Sequence, residues 1–257
     1  MIKEDVRFIN STVFEGMTSI RAIIRAWDDG IAKRQISEIL YDGARIAKIS
    51  KEIGYLKAVS EKYGFSVRES TADEINGLTL GSSHGGIIAI TEERVIPCLS
   101  DKSEIKPDGF YCMIQGIEDP YNFGYSLRSL YACGCDGIIL PERNWMSAAG
   151  VVARSSAGAS ELLPMFTADP IDTAKHFKAL GYTIVCAEEK TDNVLGKCEM
   201  KLPILLIVGG EKRGISKALV DLADTLVKID YAREFRASLS AASATTMFAS
   251  EIMRQTS

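Results

Sequence analysis

A run of five branched apolar residues, Ile204 to Val208, is followed directly by a glycine-rich turn from Gly209 to Gly214. Branched residues bounded by glycines are typical of a buried strand. Glycines placed straight after such a strand allow the backbone to approach a ligand closely. The pattern therefore predicts a binding loop at the carboxyl end of a strand, which is where open α/β sheets hold their ligands.

Two familiar phosphate-binding motifs do not account for this turn. A P-loop requires Gly, four residues and then Gly-Lys-Ser/Thr; Gly209 and Gly214 have that spacing, but Ile215 stands in the place of the lysine. A dinucleotide fingerprint requires three spaced glycines after the first strand of a βαβ unit, and the chain has none in that context. Taken alone, the turn is also compatible with a plain connection between a strand and a helix.

Length and charge bound the class of protein. The 257 residues suffice for one large domain or two small ones, and their 46% hydrophobic content supports a packed core. No apolar run approaches the ~18 residues of a membrane helix, and the first ten residues lack the apolar core of a signal peptide. A net charge of −4 disfavours tight non-specific binding to nucleic acid without excluding RNA.

The cysteines and histidines leave little room for metal or triad chemistry. The six cysteines are scattered without zinc-ligand spacing, which indicates reduced thiols. Of the two histidines, His176 fits a surface helix and His84 fits a turn. We therefore expect a cytoplasmic protein with no metal site and no membrane segment.

Helical and strand-like periods alternate along the chain, which predicts an α/β architecture. Residues 1–97 are predicted to form a small α/β/α domain, residues 98–109 a polar linker, and residues 110–257 a second domain with a largely parallel sheet. Within the first domain, four cations could form a basic face or simply a solvated helix surface: Arg21, Arg25, Lys33 and Arg34.

The second domain opens with a predicted strand, Phe110 to Ile114, and a helix that Asp119 or Asn122 can cap. Arg128 lies on that helix but off its apolar stripe. An arginine near a ligand loop can bind phosphate in a bidentate manner. Spacing alone nevertheless favours an ordinary exposed arginine. The chain closes with a predicted final helix that begins near Ser238.

Four stretches, in this order, resemble the motifs of the SpoU/TrmH branch of the SPOUT RNA methyltransferases. Asp119 to Arg128 resembles the first motif of the family, and Arg154 to Pro164 its Ser-Ala-Gly segment. Val208 to Gly214 resembles the second motif, and Asp224 to Ile229 with Ser238-Leu239 the third. The ordered set, within residues 110–257, makes the resemblance specific, and residues 1–97 resemble the ribosomal-protein-L30e-like domain of the family.

The resemblance implies both a fold and a reaction. The fold class would be α/β, with an N-terminal L30e-like α/β/α domain that binds the RNA substrate and a C-terminal SPOUT parallel sheet with a deep trefoil knot. The protein would be a homodimer whose active sites are completed at the dimer interface. It would transfer a methyl group from S-adenosylmethionine to a ribose 2′-hydroxyl of ribosomal or transfer RNA.

The resemblance also assigns roles to residues. The predicted cofactor-binding residues are Gly209, Gly210, Ile229, Ser238, Leu239 and Ser240. Arg128 would orient the reacting hydroxyl and an RNA phosphate, because an arginine stays protonated and is a poor general base. Asn122 and Glu211 would shape the catalytic site through hydrogen bonds.

Two segments depart from the pattern of the family. The third motif reads Ser238-Leu239-Ser240 where the family usually has Ser-Leu-Asn, and Ile229-Asp230-Tyr231 stands in the place of Ile-Pro-Met. These departures keep open a catalytically silent RNA-binding relative that uses the knot only as a dimer scaffold. A base methyltransferase is a second alternative, although the motif from Asn122 to Arg128 favours ribose.

Overall fold

The computed structural model describes residues 12–31, 34–79, 84–100, 103–141, 148–210, 213–234 and 237–256. These residues form two compact units. The first unit holds the residues up to Val95 together with the segment that ends at Leu162, and the second unit holds the rest. The sequence motifs placed that segment in the C-terminal domain, whereas the structure groups it with the N-terminal residues.

The described strands are β1 (Val13–Glu15), β2 (Ile36–Asp42), β3 (Ser66–Ser70), β4 (Ile87–Thr91), β5 (Phe110–Ile114), β6 (Gly137–Leu140), β7 (Met165–Thr167), β8 (Thr183–Ala187), β9 (Ile204–Val208) and β10 (Thr225–Val227). The described α-helices are α1 (Gly16–Asp28), α2 (Ile46–Tyr63), α3 (Ala72–Leu78), α4 (Pro120–Ala132), α5 (Ala149–Ser155), α6 (Ala159–Leu162), α7 (Pro170–Ala179), α8 (Lys217–Leu222) and α9 (Ala241–Thr256). Strands and helices alternate along most of the chain, as the sequence predicted.

The first unit is built on a four-stranded mixed sheet. Its strand order is β1-β4-β2-β3. Strand β4 runs antiparallel to both β1 and β2, and β3 runs parallel to β2. Helices α1, α2 and α5 bury apolar side chains, among them Ile20, Leu56 and Ala153, in one core with residues of β2 and β4. Helix α5 is therefore part of the core of this unit and not a peripheral addition.

A buried ion pair joins the two chain segments of the first unit. The side chains of Arg34 and Glu161 are each 1% exposed, and Arg34 Nε lies 3.0 Å from Glu161 Oε2. Arg34 also donates to the backbone oxygen of Glu92 at 2.9 Å, and its guanidinium lies 4.6 Å from the ring centroid of Phe14. A buried charge is tolerated only when it is paired and hydrogen-bonded, so Arg34 depends on Glu161.

Arg94 is a second buried cation beside the same carboxylate. Arg94 donates to the backbone oxygen of Ser160 at 2.5 Å, and burial lowers the pKa of its guanidinium. Glu161 therefore faces two buried arginines. The basic-face interpretation is wrong for Arg34, which points into the unit, while Arg21 and Arg25 are exposed and Lys33 lies outside the described residues.

The second unit is built on a six-stranded sheet in which every pair of neighbouring strands is parallel. The strand order is β10-β8-β9-β5-β6-β7. Every residue of β5 and β9 is buried, because parallel sheets are covered on both faces and select branched apolar residues there. The predicted parallel sheet and the predicted buried strand at Ile204–Val208 are confirmed, while the trefoil knot and the L30e likeness stay predictions.

Helices α4 and α9 pack against each other in the second unit. Asp119 caps α4 as predicted, since its carboxylate accepts from the backbone N–H of Asn122 at 2.9 Å. The hydroxyls of Ser129 and Thr246 lie 2.6 Å apart between the two helices. The linker was predicted to begin at residue 98; there the backbone pairs with β7, since Thr167 N donates to Pro97 O and Leu99 N donates to Thr167 O, each at 2.9 Å.

The part of the chain that the structure describes contains neither a membrane-spanning helix nor a cluster of metal-binding side chains. No helix there has both the length and the apolar character that crossing a membrane requires. No group of three or more His, Cys, Asp or Glu side chains there could hold a metal ion. The six cysteines are free thiols, and burial raises the pKa of Cys112 and Cys135, so these two behave as small core residues and not as nucleophiles.

Substituting Glu161→Gln should strongly destabilise the first unit, because it removes the negative charge and leaves Arg34 and Arg94 buried beside a neutral amide. Breaking a buried pair in this way costs about 3–5 kcal/mol. Urea denaturation of the full-length protein measures the change. The matched control is Asp29→Asn in the exposed Arg25–Asp29 pair, for which we expect a loss below about 1 kcal/mol. Equal effects of the two changes would contradict the role given to Glu161.

Candidate active site

A cavity of about 780 Å³ lies where three neighbouring strands of the second sheet end. The residues that follow these strands line it: Glu188 and Glu189 after β8, Gly209 and Gly210 after β9, and Lys228 and Ile229 after β10. The carboxyl ends of parallel strands share one edge of a sheet, so the cavity occupies the position predicted for a ligand. Its remaining lining comes mainly from residues 237–239 and from α9.

The turn after β9 requires glycine because two backbones touch there. A Cβ built on Gly209 would lie 2.5 Å from the backbone carbonyl carbon of Gly214, and one built on Gly210 would overlap the backbone oxygen of Gly116. The turn closes on itself through a 3.0 Å hydrogen bond from Gly214 N to Gly210 O. Gly116 and Gly214 also have φ values of +73° and +60°, which favour glycine. An added side chain would therefore displace the loop itself.

The lining of the cavity combines charged and apolar groups. Two acidic residues, Glu188 and Glu189, belong to the lining at the end of β8, and a basic residue, Lys228, belongs to it at the end of β10. Leu239 and Phe248 add apolar surface. Small-molecule sites usually combine a largely apolar wall with a few polar groups that fix orientation. This arrangement suits a ligand with an apolar ring and more than one charged group.

The structure brings most of the predicted cofactor-binding residues to this one cavity. Those that line it are Gly209, Gly210, Ile229, Ser238 and Leu239. Ser240 is not among the described lining residues. Its hydroxyl accepts from the backbone N–H of Ser243 at 3.2 Å and so caps α9. Ser240 thus fixes the start of the helix from which Ala241 and Ala244 line the cavity.

Two of the predicted catalytic residues, Asn122 and Arg128, lie elsewhere in the second unit. Asn122 is half-buried in the first turn of α4, and Arg128 is exposed further along the same helix. Neither is among the described residues that line the cavity. Glu211 lies outside the described residues. A single copy of the chain therefore groups the predicted cofactor residues without adding Asn122 or Arg128 to them.

Sequence reasoning assigned no ligand role to several lining residues, among them Glu188, Glu189 and Phe248. Glu188 and Glu189 follow β8 as directly as Gly209 follows β9, so the rule that placed a ligand after one buried strand could have found them. Phe248 carried no such signal, because its place in the cavity depends on how α9 packs.

The second unit is a parallel α/β sheet, and a cavity of mixed polarity lies at the ends of adjacent strands. This arrangement is typical of proteins that bind a small ligand at the edge of the sheet. The SpoU rRNA Methylase family matches residues 109–250, a range that includes the whole cavity lining. The match covers more than half of the chain, and the protein belongs to this family.

Named relatives and solved structures agree with this assignment. The 23S rRNA (guanosine-2′-O-)-methyltransferase RlmB of Shewanella oneidensis is 27% identical, with 99% of each chain covered. The structure of the SpoU methyltransferase AviRb from Streptomyces viridochromogenes, in complex with the cofactor AdoMet, gives a TM-score of 0.75 at 24% identity and covers 95% of this chain and 89% of that one. An rRNA methyltransferase structure from Sinorhizobium meliloti gives a TM-score of 0.75 at 23% identity and covers 97% and 93%.

Together these findings confirm three of the sequence predictions. The predicted family is the one that matches. The structural neighbours share the fold across nearly the whole chain, which confirms the α/β class with its parallel sheet. The enzyme class, an RNA methyltransferase, is the class of the family and of the relatives. The homodimer and the roles of individual residues stay predictions.

Ser240→Asn should leave both stability and the cavity intact, because serine and asparagine are comparably good helix N-caps. Ser240→Ala removes the acceptor for Ser243 N–H and should lower the free energy of unfolding by about 1 kcal/mol. Thermal unfolding of the two variants beside the unmodified protein measures the difference. If alanine proved as stable as asparagine here, the capping role of Ser240 would be refuted.

Proposed function

We propose that the protein transfers a methyl group from S-adenosylmethionine to a ribose 2′-hydroxyl of ribosomal RNA in the cytoplasm. The observation that carries the proposal is the cavity at the ends of β8, β9 and β10, lined by the motif residues Gly209, Ile229 and Leu239. The RlmB relative methylates a guanosine ribose of 23S rRNA by its name, and the AviRb relative binds AdoMet. Transfer RNA is the alternative substrate.

The residues present suit this methyl donor. S-adenosylmethionine supplies a methyl group on a positively charged sulfur when it is bound. The cavity volume, about 780 Å³, lies within the usual range for small-molecule sites. Glu188 and Glu189 place negative charge beside a positively charged ligand, while Leu239 and Phe248 offer apolar surface for its base. Gly209 and Gly210 line the cavity and have no side chains of their own, so only their backbone atoms can contact a ligand there.

The acceptor hydroxyl has to be brought to this donor and polarised. A ribose hydroxyl is a weak nucleophile until its proton is removed or strongly polarised. Arg128 would contact the hydroxyl and the adjacent RNA phosphate, holding the reacting oxygen in line with the methyl carbon. The bound cofactor would supply the methyl group to this oxygen and keep the electron pair of its carbon–sulfur bond, while the hydroxyl proton would leave to solvent or to the RNA phosphate. Asn122 and Glu211 would support this geometry through hydrogen bonds.

A second copy of the chain would supply Arg128 to the cavity. Tyr121 and Tyr125 on α4 are 42% and 48% exposed, and Arg128 follows at the spacing that puts all three on one helix face. Exposed aromatic side chains together with an arginine are the residue types enriched in protein interfaces. The proposed assembly is a homodimer through α4 and α9, in which each cavity receives Arg128 from the partner copy.

The first unit would bind the RNA substrate, as its resemblance to an L30e-like domain implies. The Arg21 guanidinium lies 5.4 Å from the ring centroid of the exposed Tyr55. Lys48 and Lys51 are exposed on the same helix as Tyr55, at a spacing that gives them one face. Cations beside an exposed aromatic ring suit both the phosphates and the bases of RNA.

The proposed function is tested by Gly209→Val. The unmodified protein should transfer labelled methyl from S-adenosylmethionine to ribosomal RNA that lacks this modification, and digestion should yield a 2′-O-methyl nucleoside. The added side chain pushes the turn apart, so calorimetric titration should show that the variant has lost cofactor binding, and methyl transfer should stop. Gly54→Val is the matched control, because Gly54 lies in α2 with open space around its Cβ position; it should keep both activities.

Three other outcomes of the same measurements would contradict the proposal. Unchanged cofactor affinity in Gly209→Val would refute the placement of the cofactor. A methyl group on a ring nitrogen would favour the base methyltransferase. Cofactor binding that is weak or absent in the unmodified protein, with no transfer to any RNA, would favour the catalytically silent relative.

Mixed dimers test whether the active site is shared. Arg128→Ala alone should slow methyl transfer about a hundredfold or more, because it removes a charged contact at the reacting centre, and it should leave cofactor binding unchanged. Co-expressing Arg128→Ala with Gly209→Val chains should restore about a quarter of the normal activity, since half of the dimers are mixed and one of their two sites is intact. If each site used its own Arg128, the mixture would be inactive. Light scattering that found a monomer at micromolar concentration would exclude the shared site directly.

A further inference from the structure

Two parts of the cavity wall belong to one connection. Among the described residues between β10 and α9, none of residues 228–240 belongs to a helix or a strand. Ile229 and Tyr231, near its start, and Ser238 and Leu239, near its end, all line the cavity. The shape of the cavity therefore depends on how the two ends of this connection are held with respect to each other.

Each end of the connection has its own anchor. At the start, Lys228 N donates to Asn193 O at 2.9 Å, and Lys228 O accepts from Leu195 N at 2.8 Å. At the end, Ser240 caps α9. Neither anchor connects the part of the cavity wall at Ile229 and Tyr231 to the part at Ser238 and Leu239. The anchors therefore hold each end of the connection in place without setting the distance between the two parts of the wall.

The side chain of Tyr231 makes the join between the walls. The backbone N–H of Leu239 donates to the Tyr231 hydroxyl oxygen at 3.2 Å. Both residues are half-buried and both line the cavity. Leu239 precedes the N-cap of α9, so the hydrogen bonds of the helix do not use this N–H. The phenol oxygen therefore supplies an acceptor for an N–H that the helix leaves unused, and it ties the start of the connection to its end.

We propose that Tyr231 is a positioning residue that holds the Ser238–Leu239 wall in the shape that binds S-adenosylmethionine. This inference rests on the proposed function. A wall that is fixed before the ligand arrives loses less chain entropy on binding, so the ligand binds more tightly. Asp230 stands where the family motif usually has a proline, so the backbone before Tyr231 lacks the fixed φ that a proline would give it. The hydrogen bond across the connection thus supplies a restraint that the backbone does not provide by itself.

The test is Tyr231→Phe, which keeps the ring and removes only the hydroxyl. The dissociation constant and KM for S-adenosylmethionine should both rise about three- to tenfold, the effect of one neutral hydrogen bond. At saturating cofactor, kcat should stay unchanged, because the chemical step does not use Tyr231. In the cofactor-free protein, amide exchange resolved by NMR should become faster at Leu239 by a similar factor.

Tyr182→Phe is the matched control, because the Tyr182 hydroxyl donates to the backbone oxygen of Lys106 in the same unit and Tyr182 does not line the cavity. This control should lower thermal stability and leave cofactor affinity unchanged. If Tyr231→Phe bound the cofactor as tightly as the unmodified protein, or more tightly, the inference would be wrong while the proposed function stood. If the unmodified protein bound no S-adenosylmethionine, the proposed function would fail and this inference would fail with it.

Discussion

Close contact between glycine backbones is the constraint on which the ligand-binding edge of the second unit depends. Strands β5 and β9 are adjacent, and Gln115 N still donates to Val208 O beyond their ends. The two segments that follow therefore leave the sheet side by side, and only glycine at position 210 lets them pass. The turn that lines the cavity and the loop that leads into α4 are thus held together by packing between main chains, which leaves little freedom for either to move alone.

The sequence predicted the second sheet well because its signals are local. Five branched residues at Ile204–Val208 can hardly be anything but a buried strand when glycines follow, and Asp119 before a proline marks the start of α4. The first unit was harder to predict because its decisive contact is not local. Glu161 lies 127 residues from Arg34, and no pattern near either residue shows that they meet. Arg34 was therefore grouped with surface cations, and residues 149–162 with the wrong set of neighbours.

In the candidate site too, features that depend on local sequence could be predicted, and features that depend on contacts between distant residues could not. Gly209 could be placed at the cavity because it directly follows a predicted buried strand, and the family resemblance pointed to Ile229, which also lines the cavity. The capping role of Ser240 was not predicted, because a helix cap and a ligand contact look alike in a short motif, and only the structure shows the N–H of Ser243 donating to its hydroxyl. Arg128 carries the opposite lesson. Its residue type fits the chemistry, but one copy of the chain does not add it to the described lining, so the role proposed for it requires a second copy.

The division of the chain between the two units limits how the protein can be dissected or recombined. Glu161 reaches the first unit on a segment whose neighbours on either side, β6 and β7, are paired strands of the other sheet. A fragment that stopped at residue 97 would keep Arg34 and Arg94 but lose the carboxylate that neutralises them. The N-terminal residues therefore cannot be transferred to another protein as an independent domain. In evolution they have to be inherited together with an acidic residue at position 161, so the sequence of the N-terminal residues is constrained by a segment that lies far along the chain.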